Sequence, residues 1–90
     1  MKADREAMMA ALGYANARTL PTGEVAGVQR MLFTFGLFVG LDDFGYARRY
    51  CYERRSDALD ALLVWDGVGD PPGPWIKVYP GERLGPGATG

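Results

Sequence analysis

Phe33-Thr34-Phe35-Gly36-Leu37-Phe38-Val39-Gly40-Leu41, then Asp42-Asp43-Phe44-Gly45, then Tyr46-Ala47-Arg48-Arg49-Tyr50-Cys51-Tyr52-Glu53 reads as a strand, a turn and a returning strand. The odd positions from Phe33 to Leu41 are all large and apolar, whereas the even positions are Thr34, Gly36, Phe38 and Gly40. Side chains alternate between the two sides of a strand, so the odd face is predicted to be core. The even face, lowered at Gly36 and Gly40, leaves room for another backbone or a ligand. Glycine near the end of the Asp-rich turn suits a hairpin. On the returning strand Tyr46, Arg48, Tyr50 and Tyr52 fall on one face and Ala47, Arg49, Cys51 and Glu53 on the other. Tyr50 and Tyr52 are expected to pack their rings inward or along an edge, with Arg49 lying across a surface by its aliphatic stem.

Downstream, Ser56 is a good N-cap and Asp57 suits a first helical turn, which predicts a helix from Ser56 to about Trp65. Its buried stripe is expected to be Leu59, Leu62 and Leu63, flanked by Ala58 and Trp65, with Gly67 as the stop. Trp75-Ile76-Lys77-Val78-Tyr79 alternates as a last short strand, and residues 80–90 read as a flexible Gly/Pro-rich tail. Upstream, residues 4–17 hold Met8, Leu12 and Ala15, with Ala7, Ala11 and Tyr14 beside them, at helical spacing. Gly13 weakens the middle of that helix, so it ends early or uses the gap for close packing. Arg18 to Leu20 enters the turn Pro21-Thr22-Gly23-Glu24 as a short strand, and Gln29-Arg30-Met31 marks a bulge or a bend between two strands. The expected fold is one α+β domain over residues 1–79: a small antiparallel sheet of three or four strands, with the Ser56 helix on the odd face. The first helix covers the same sheet or serves as a dimer face.

Composition narrows the function. Ninety residues, 48% of them hydrophobic and 12% aromatic, make one small folded domain rather than a disordered chain. No run is long and apolar enough to span a membrane, and the charged N-terminus carries no signal core, so no membrane association and a cytoplasmic location are expected. The net charge of −1 disfavours nucleic acid as a partner. Arg48, Arg49, Arg54 and Arg55 nevertheless fall within eight residues whose only acid is Glu53, a local basic excess.

The absence of histidine removes the commonest neutral-pH base and every Ser-His or Cys-His nucleophile pair. The lone Cys51 rules out a zinc site built from one chain's thiolates and reads as a small buried hydrophobe. Asp42, Asp43, Asp66 and Asp70 sit where turns use aspartate, and Gly67, Gly69 and Gly73 follow a helix instead of opening one, which is the wrong order for a phosphate cradle. No cofactor, no metal and no enzymatic activity are expected.

What stands out is Trp65-Asp66-Gly67-Val68-Gly69-Asp70-Pro71-Pro72-Gly73-Pro74-Trp75-Ile76-Lys77, where glycine and proline define a backbone path anchored by a tryptophan at each end. If the last strand pairs beside the return strand, Arg48, Arg49 and Lys77 converge with Tyr50, Tyr52 and Trp75, with Asp70 nearby. That is a chemistry for a small anionic ligand such as a nucleotide, or for an acidic protein segment. A pocket of this kind is expected to be shared between subunits of a homo-oligomer.

The strings Gly45 to Tyr52, Ala58 to Leu62 and Trp65 to Lys77, with Phe33 to Leu37 upstream, resemble a group of small uncharacterised proteins encoded in phages and prophages. The likeness covers roughly residues 23–77 and leaves out the first helix and the tail. It implies a context more than a chemistry: a non-enzymatic accessory protein in a bacterial host, binding and inhibiting a host protein. The alternative is a protein that sequesters a nucleotide or nucleotide-derived signal.

Overall fold

The computed structural model describes residues 2–42 and 45–83, with the backbone alone for 2–4 and 77–83. Gly13 decides the N-terminal architecture. At φ +100° it ends helix α1 (Lys2–Ala11): the Gly13 N–H donates to Ala10 C=O and the Tyr14 N–H to Met9 C=O, the paired bonds of a glycine-terminated helix. The helix therefore stops short of the expected 4–17 span. The freed residues form strand β1 (Ala15–Thr19), which is longer than the expected Arg18–Leu20 strand. Among the described side chains of α1, Met9 is the buried one, while Met8 and Leu12, expected in its stripe, are exposed.

Four more strands follow: β2 (Val25–Arg30), β3 (Phe35–Val39), β4 (Gly45–Tyr52) and β5 (Trp75–Arg83), with helix α2 (Arg55–Val64) between the last two. They make one antiparallel sheet in chain order, an α+β fold with a five-stranded sheet instead of three or four strands. The bend between β2 and β3 falls at Met31 to Thr34, so the segment after Gln29 is a hairpin turn and not a bulge. β5 continues to Arg83, into the stretch expected to be a tail; residues 84–90 lie outside the described residues, as do Asp43 and Phe44 of the second turn. No helix among the described residues is long and apolar enough to cross a membrane.

The sheet has a helix on each face. On one face α2 buries Ala58, Ala61 and Leu62 against Val28, Leu37, Val39, Tyr50 and Tyr52. On the other, α1 places Met9 beside Val25, Phe38, Leu41 and Tyr46. Leu37 and Val39 are core as expected and Phe35 packs against them, but Leu41 belongs to the second cluster and Phe33 lies in the exposed turn. Tyr46 also leaves the face of Tyr50 and Tyr52, its ring meeting Phe38 edge-on at 4.8 Å. The even face of β3 is filled from within: a side chain at Gly36 would meet the Phe38 ring at 2.6 Å, and one at Gly27 would meet Tyr14 at 2.8 Å.

α2 starts at Arg55 with Arg54 as a cap lacking a side-chain bond, which puts Ser56 inside the first turn. Its other end differs from expectation too. Trp65 is an extended C-cap, and the last carbonyls are held by Arg18 of β1, whose Nη1 donates to Leu62 O at 2.6 Å, Trp65 O at 3.3 Å and Leu63 O at 3.4 Å. A cation there also opposes the negative end of the helix dipole. Gly67 has another duty: at φ +93° it passes so close to the β1–β2 turn that a Cβ would lie 2.7 Å from Thr22 Oγ1.

Both edges of the sheet are blunted against strand addition. β1 is short, flanked by α1, and irregular between Ala15 and Arg18, with Asn16 at φ 55°. β5 carries Pro80. The Gly40 N–H bonds Val25 O and the Met31 N–H bonds Thr34 O; stepping by two across β3 and β4 makes Arg48 and Pro80 a pair without mutual hydrogen bonds. Proline's missing donor thus faces the open edge.

Candidate functional site

The residues expected to form a site divide between the two faces of β4. Arg48, Tyr50 and Tyr52 point toward α2, where Trp75 and Asp70 join them, and together they hold down the loop of residues 66–74. Tyr50 Oη donates to Asp70 Oδ1 at 2.9 Å, Tyr52 Oη to Pro72 O at 2.8 Å, and Trp75 Nε1 to Pro71 O at 3.0 Å. Trp65 Nε1 donates to Val68 O at 3.2 Å, and Arg48 Nη2 to Gly67 O at 3.2 Å. Asp66 Oδ1 accepts the Val68 N–H at 2.9 Å, the ordinary aspartate turn.

Beneath the loop, the Tyr50 ring stands edge-on to Trp65 at 5.8 Å and to Trp75 at 5.6 Å. The Arg48 guanidinium lies 5.4 Å from the Trp65 ring centre, donates from Nε to Tyr50 Oη at 3.1 Å, and pairs loosely with Glu24 at 3.8 Å. Tyr50 and Tyr52 are buried, and the loop occupies the space above their rings. Aromatic and cationic groups do converge here, and what they bind is the protein's own backbone.

The electrostatics agree with a structural role. Burial pushes the Tyr50 phenol up from its ordinary value, and the bond to the Asp70 carboxylate pushes it further, against a smaller opposing pull from Arg48. Burial raises Tyr52 strongly, with lesser contributions from Tyr50 and Asp57, and burial followed by Tyr46 raises Tyr14. All three move away from neutrality, the wrong direction for acid–base work near pH 7.

Arg49 lies on the other side of β4. Its stem crosses Gly36, its guanidinium is 5.8 Å from the Phe38 ring centre, and Nη1 donates to Tyr46 Oη at 3.4 Å. Lys77 pairs in register with Cys51 on the neighbouring strand, and its side chain lies outside the described residues. Arg48 and Arg49 therefore serve different faces, as strand alternation requires.

Beside Arg49 the surface opens into a shallow groove of about 350 Å³, bounded by Met31, Leu32, Phe33, Cys51 and Ile76. Cys51 is buried at its floor. The β2–β3 turn that walls it is closed by a 2.7 Å bond from the Met31 N–H to Thr34 O. At its tip Leu32 is 83% and Phe33 88% exposed, and Ile76 across the groove is 52% exposed. A second apolar group, Leu63, Val64 and Val68, is exposed around the end of α2, where Leu63 was expected to be buried. Sequence reading assigned Phe33 to the core because it continues the odd-numbered series; the signal against this was Gln29-Arg30-Met31, which left the strand's start open. No protein family, characterised protein or solved structure matches this chain.

Proposed function

We propose that this chain is a non-enzymatic binding protein of the phage and prophage accessory type, which acts by covering a surface of a host protein and inhibiting it. The contact is made by the tip of the β2–β3 hairpin. The observation that carries this reading is the exposure of Leu32 and Phe33 side by side on a hydrogen-bonded turn, next to an apolar groove. A small soluble domain seldom presents adjacent large apolar side chains without a partner for them. Burying such a side chain is worth about 1.5–3 kcal/mol, and a rigid turn loses little entropy in offering it.

The Pro/Gly loop supports the same reading by elimination, since its aromatic and cationic neighbours are already engaged with it. The blunted edges of the sheet favour recognition through side chains over strand addition. The test is affinity capture from host lysate with the full chain, compared with Leu32→Ser/Phe33→Ser. A host protein retained by the parent and lost by the variant is the expected result. Equal capture by both, or none by either, overturns the assignment.

A further inference from the structure

The apolar group at the end of α2 lies at the opposite end of β2 from the hairpin tip, since Gly67 packs on Leu20 and Thr22 at the β1–β2 turn. Leu63, Val64 and Val68 are 71%, 70% and 69% exposed, and the bond from Trp65 Nε1 to Val68 O holds the loop residue beside the helix end. Their surroundings are acidic. Asp60 stands three and four residues before Leu63 and Val64, the spacing at which side chains share a helix face, and it is exposed with them. Asp66 accepts the Val68 N–H, which keeps its carboxylate against that residue, and Asp70 follows in the same loop on Tyr50 Oη. All three aspartates are exposed, and none of them makes an ion pair among the described residues.

The cations that face this region are Arg18 and Arg48, and both are engaged. Arg18 is partly buried and directed at the carbonyls of Leu62, Leu63 and Trp65. Arg48 pairs with Glu24 and donates to Tyr50 Oη and Gly67 O. Arg55 is at the far end of α2, roughly 12 Å along the axis from Leu63, about a Debye length at 0.1 M salt. The apolar group is therefore bordered by carboxylates in excess, with Asp60 and Asp66 nearest to it.

Going beyond the hairpin contact, we propose that this end of α2 is a second docking surface, which takes a protein segment presenting an apolar side chain beside lysine or arginine. The apolar side chain covers Leu63, Val64 and Val68, and the cations meet Asp60 and Asp66. The same carboxylates repel the phosphates of nucleic acid and of anionic lipid, which leaves protein as the occupant. A second copy meeting this face with its own would set the aspartates against their like. The apolar contact supplies most of the affinity, while the carboxylates speed encounter and reject acidic segments.

The experiment is selection of displayed random peptides on the immobilised full chain, followed by titration of the selected peptides against parent, Leu63→Gln/Val64→Gln, Asp60→Asn/Asp66→Asn and Phe33→Ser proteins. Asparagine keeps the oxygen that accepts the Val68 N–H, and all the substituted positions are exposed, so coincident thermal melts are expected and exclude a fold-level artefact. The expected result is a class of peptides that joins Leu, Ile, Phe or Trp to Lys or Arg within a few residues. Leu63→Gln/Val64→Gln weakens their binding about tenfold or more, Asp60→Asn/Asp66→Asn about threefold or more, and Phe33→Ser leaves it unchanged. Raising salt from about 50 to about 500 mM removes most of the aspartate effect. Peptides without basic residues, or indifference to the aspartate substitutions, overturn the basic segment. Absence of any peptide that Leu63→Gln/Val64→Gln releases overturns the surface, whatever Phe33→Ser does to the others. Concentration-dependent dimerisation abolished by Leu63→Gln/Val64→Gln assigns the face to a second copy and overturns the proposal.

Discussion

The loop of residues 66–74 and the turn of residues 31–34 stand in opposite relations to the same sheet. The loop is long and rich in glycine and proline, yet it is tied down: Trp65, Trp75, Tyr50, Tyr52 and Arg48 each give a donor to it. The turn is short and apolar, yet Leu32 and Phe33 stand in solvent. The difference follows from polar accounting. A buried tyrosine or tryptophan needs an acceptor for its proton, and a loop free of regular structure has spare carbonyls, so each satisfies the other. Phe33 has no such need and stands in solvent beyond the strands that the helices cover, since α2 packs over the middle strands and α1 lies chiefly over β1 and β2, with Met9 beside Phe38. In this molecule the conspicuous loop builds the fold, and the plain turn is left in solvent.

The comparison breaks most visibly at Trp65. It is buried between Tyr50 and Arg48 and holds Val68 O, so Trp65→Ala is expected to cost about 3–5 kcal/mol in denaturant unfolding. A loss below about 1 kcal/mol would mean that the loop is not anchored through this ring. Gly67→Ala is next, at about 2–3 kcal/mol, because it combines a left-handed backbone with contact against Thr22. In a Thr22→Ala background the steric part of that cost should shrink and the backbone part remain, a coupling that a double-mutant cycle reads directly.

Arg18→Met sharpens the same point from the β1 side. Removing the guanidinium strands the last carbonyls of α2, and about 1–2 kcal/mol of stability should be lost. Tyr52→Phe removes only the bond to Pro72 O, for about 1 kcal/mol. It also has a pH signature. The folded phenols of Tyr50 and Tyr52 lie above their ordinary value, so the unfolded chain loses these protons first as pH rises. Their contribution is fully present below about pH 10 and is lost as pH climbs beyond it toward the folded values. Parent protein should show a steep alkaline fall in melting temperature, and Tyr52→Phe a shallower one; parallel curves would disprove the assignment.

These targets also show where the sequence was readable. The β3–β4 hairpin, α2 and the strand character of Trp75 to Tyr79 rest on local signals, namely alternation, a glycine-bearing turn and a helical run between breakers, and they were legible; the pairing of β5 beside β4 entered only as a condition, because pairing is not a local signal. Strand β1 was legible only at its end, where a strand was expected from Arg18 to Leu20; its start was not, because Ala15-Asn16-Ala17 has no large apolar residue to mark a face and follows a helix-compatible run. Arg18 acts on carbonyls 44 to 47 residues away, a distance at which composition and spacing carry no information. Of the residues expected to converge, Arg48, Tyr50, Tyr52, Asp70 and Trp75 meet, whereas Arg49 lies on the other side of β4 and the Lys77 side chain lies outside the described residues. What sequence left out is that the segment completing this neighbourhood is the loop itself.

The smallest expected effect is the most discriminating. If the hairpin tip is unused by the fold, Phe33→Ser and Leu32→Ser should each change unfolding stability by no more than about 0.5 kcal/mol. The reason lies in what each residue loses. Phe33 is 88% exposed in the folded protein, so folding removes little of its surface from water and serine forfeits little burial. Turn closure depends on the Met31–Thr34 backbone bond, which neither substitution touches. Phe35, two residues on, is the internal control: it packs on the α2 cluster opposite Tyr52, and Phe35→Ser should cost several times more. A pair of melts that separates Phe33 from Phe35 in this way would show that the odd-numbered series of β3 ends at the strand and that the residue beyond it belongs to the surface. Equal losses at both positions would place Phe33 back in the core and withdraw the hairpin tip as a contact.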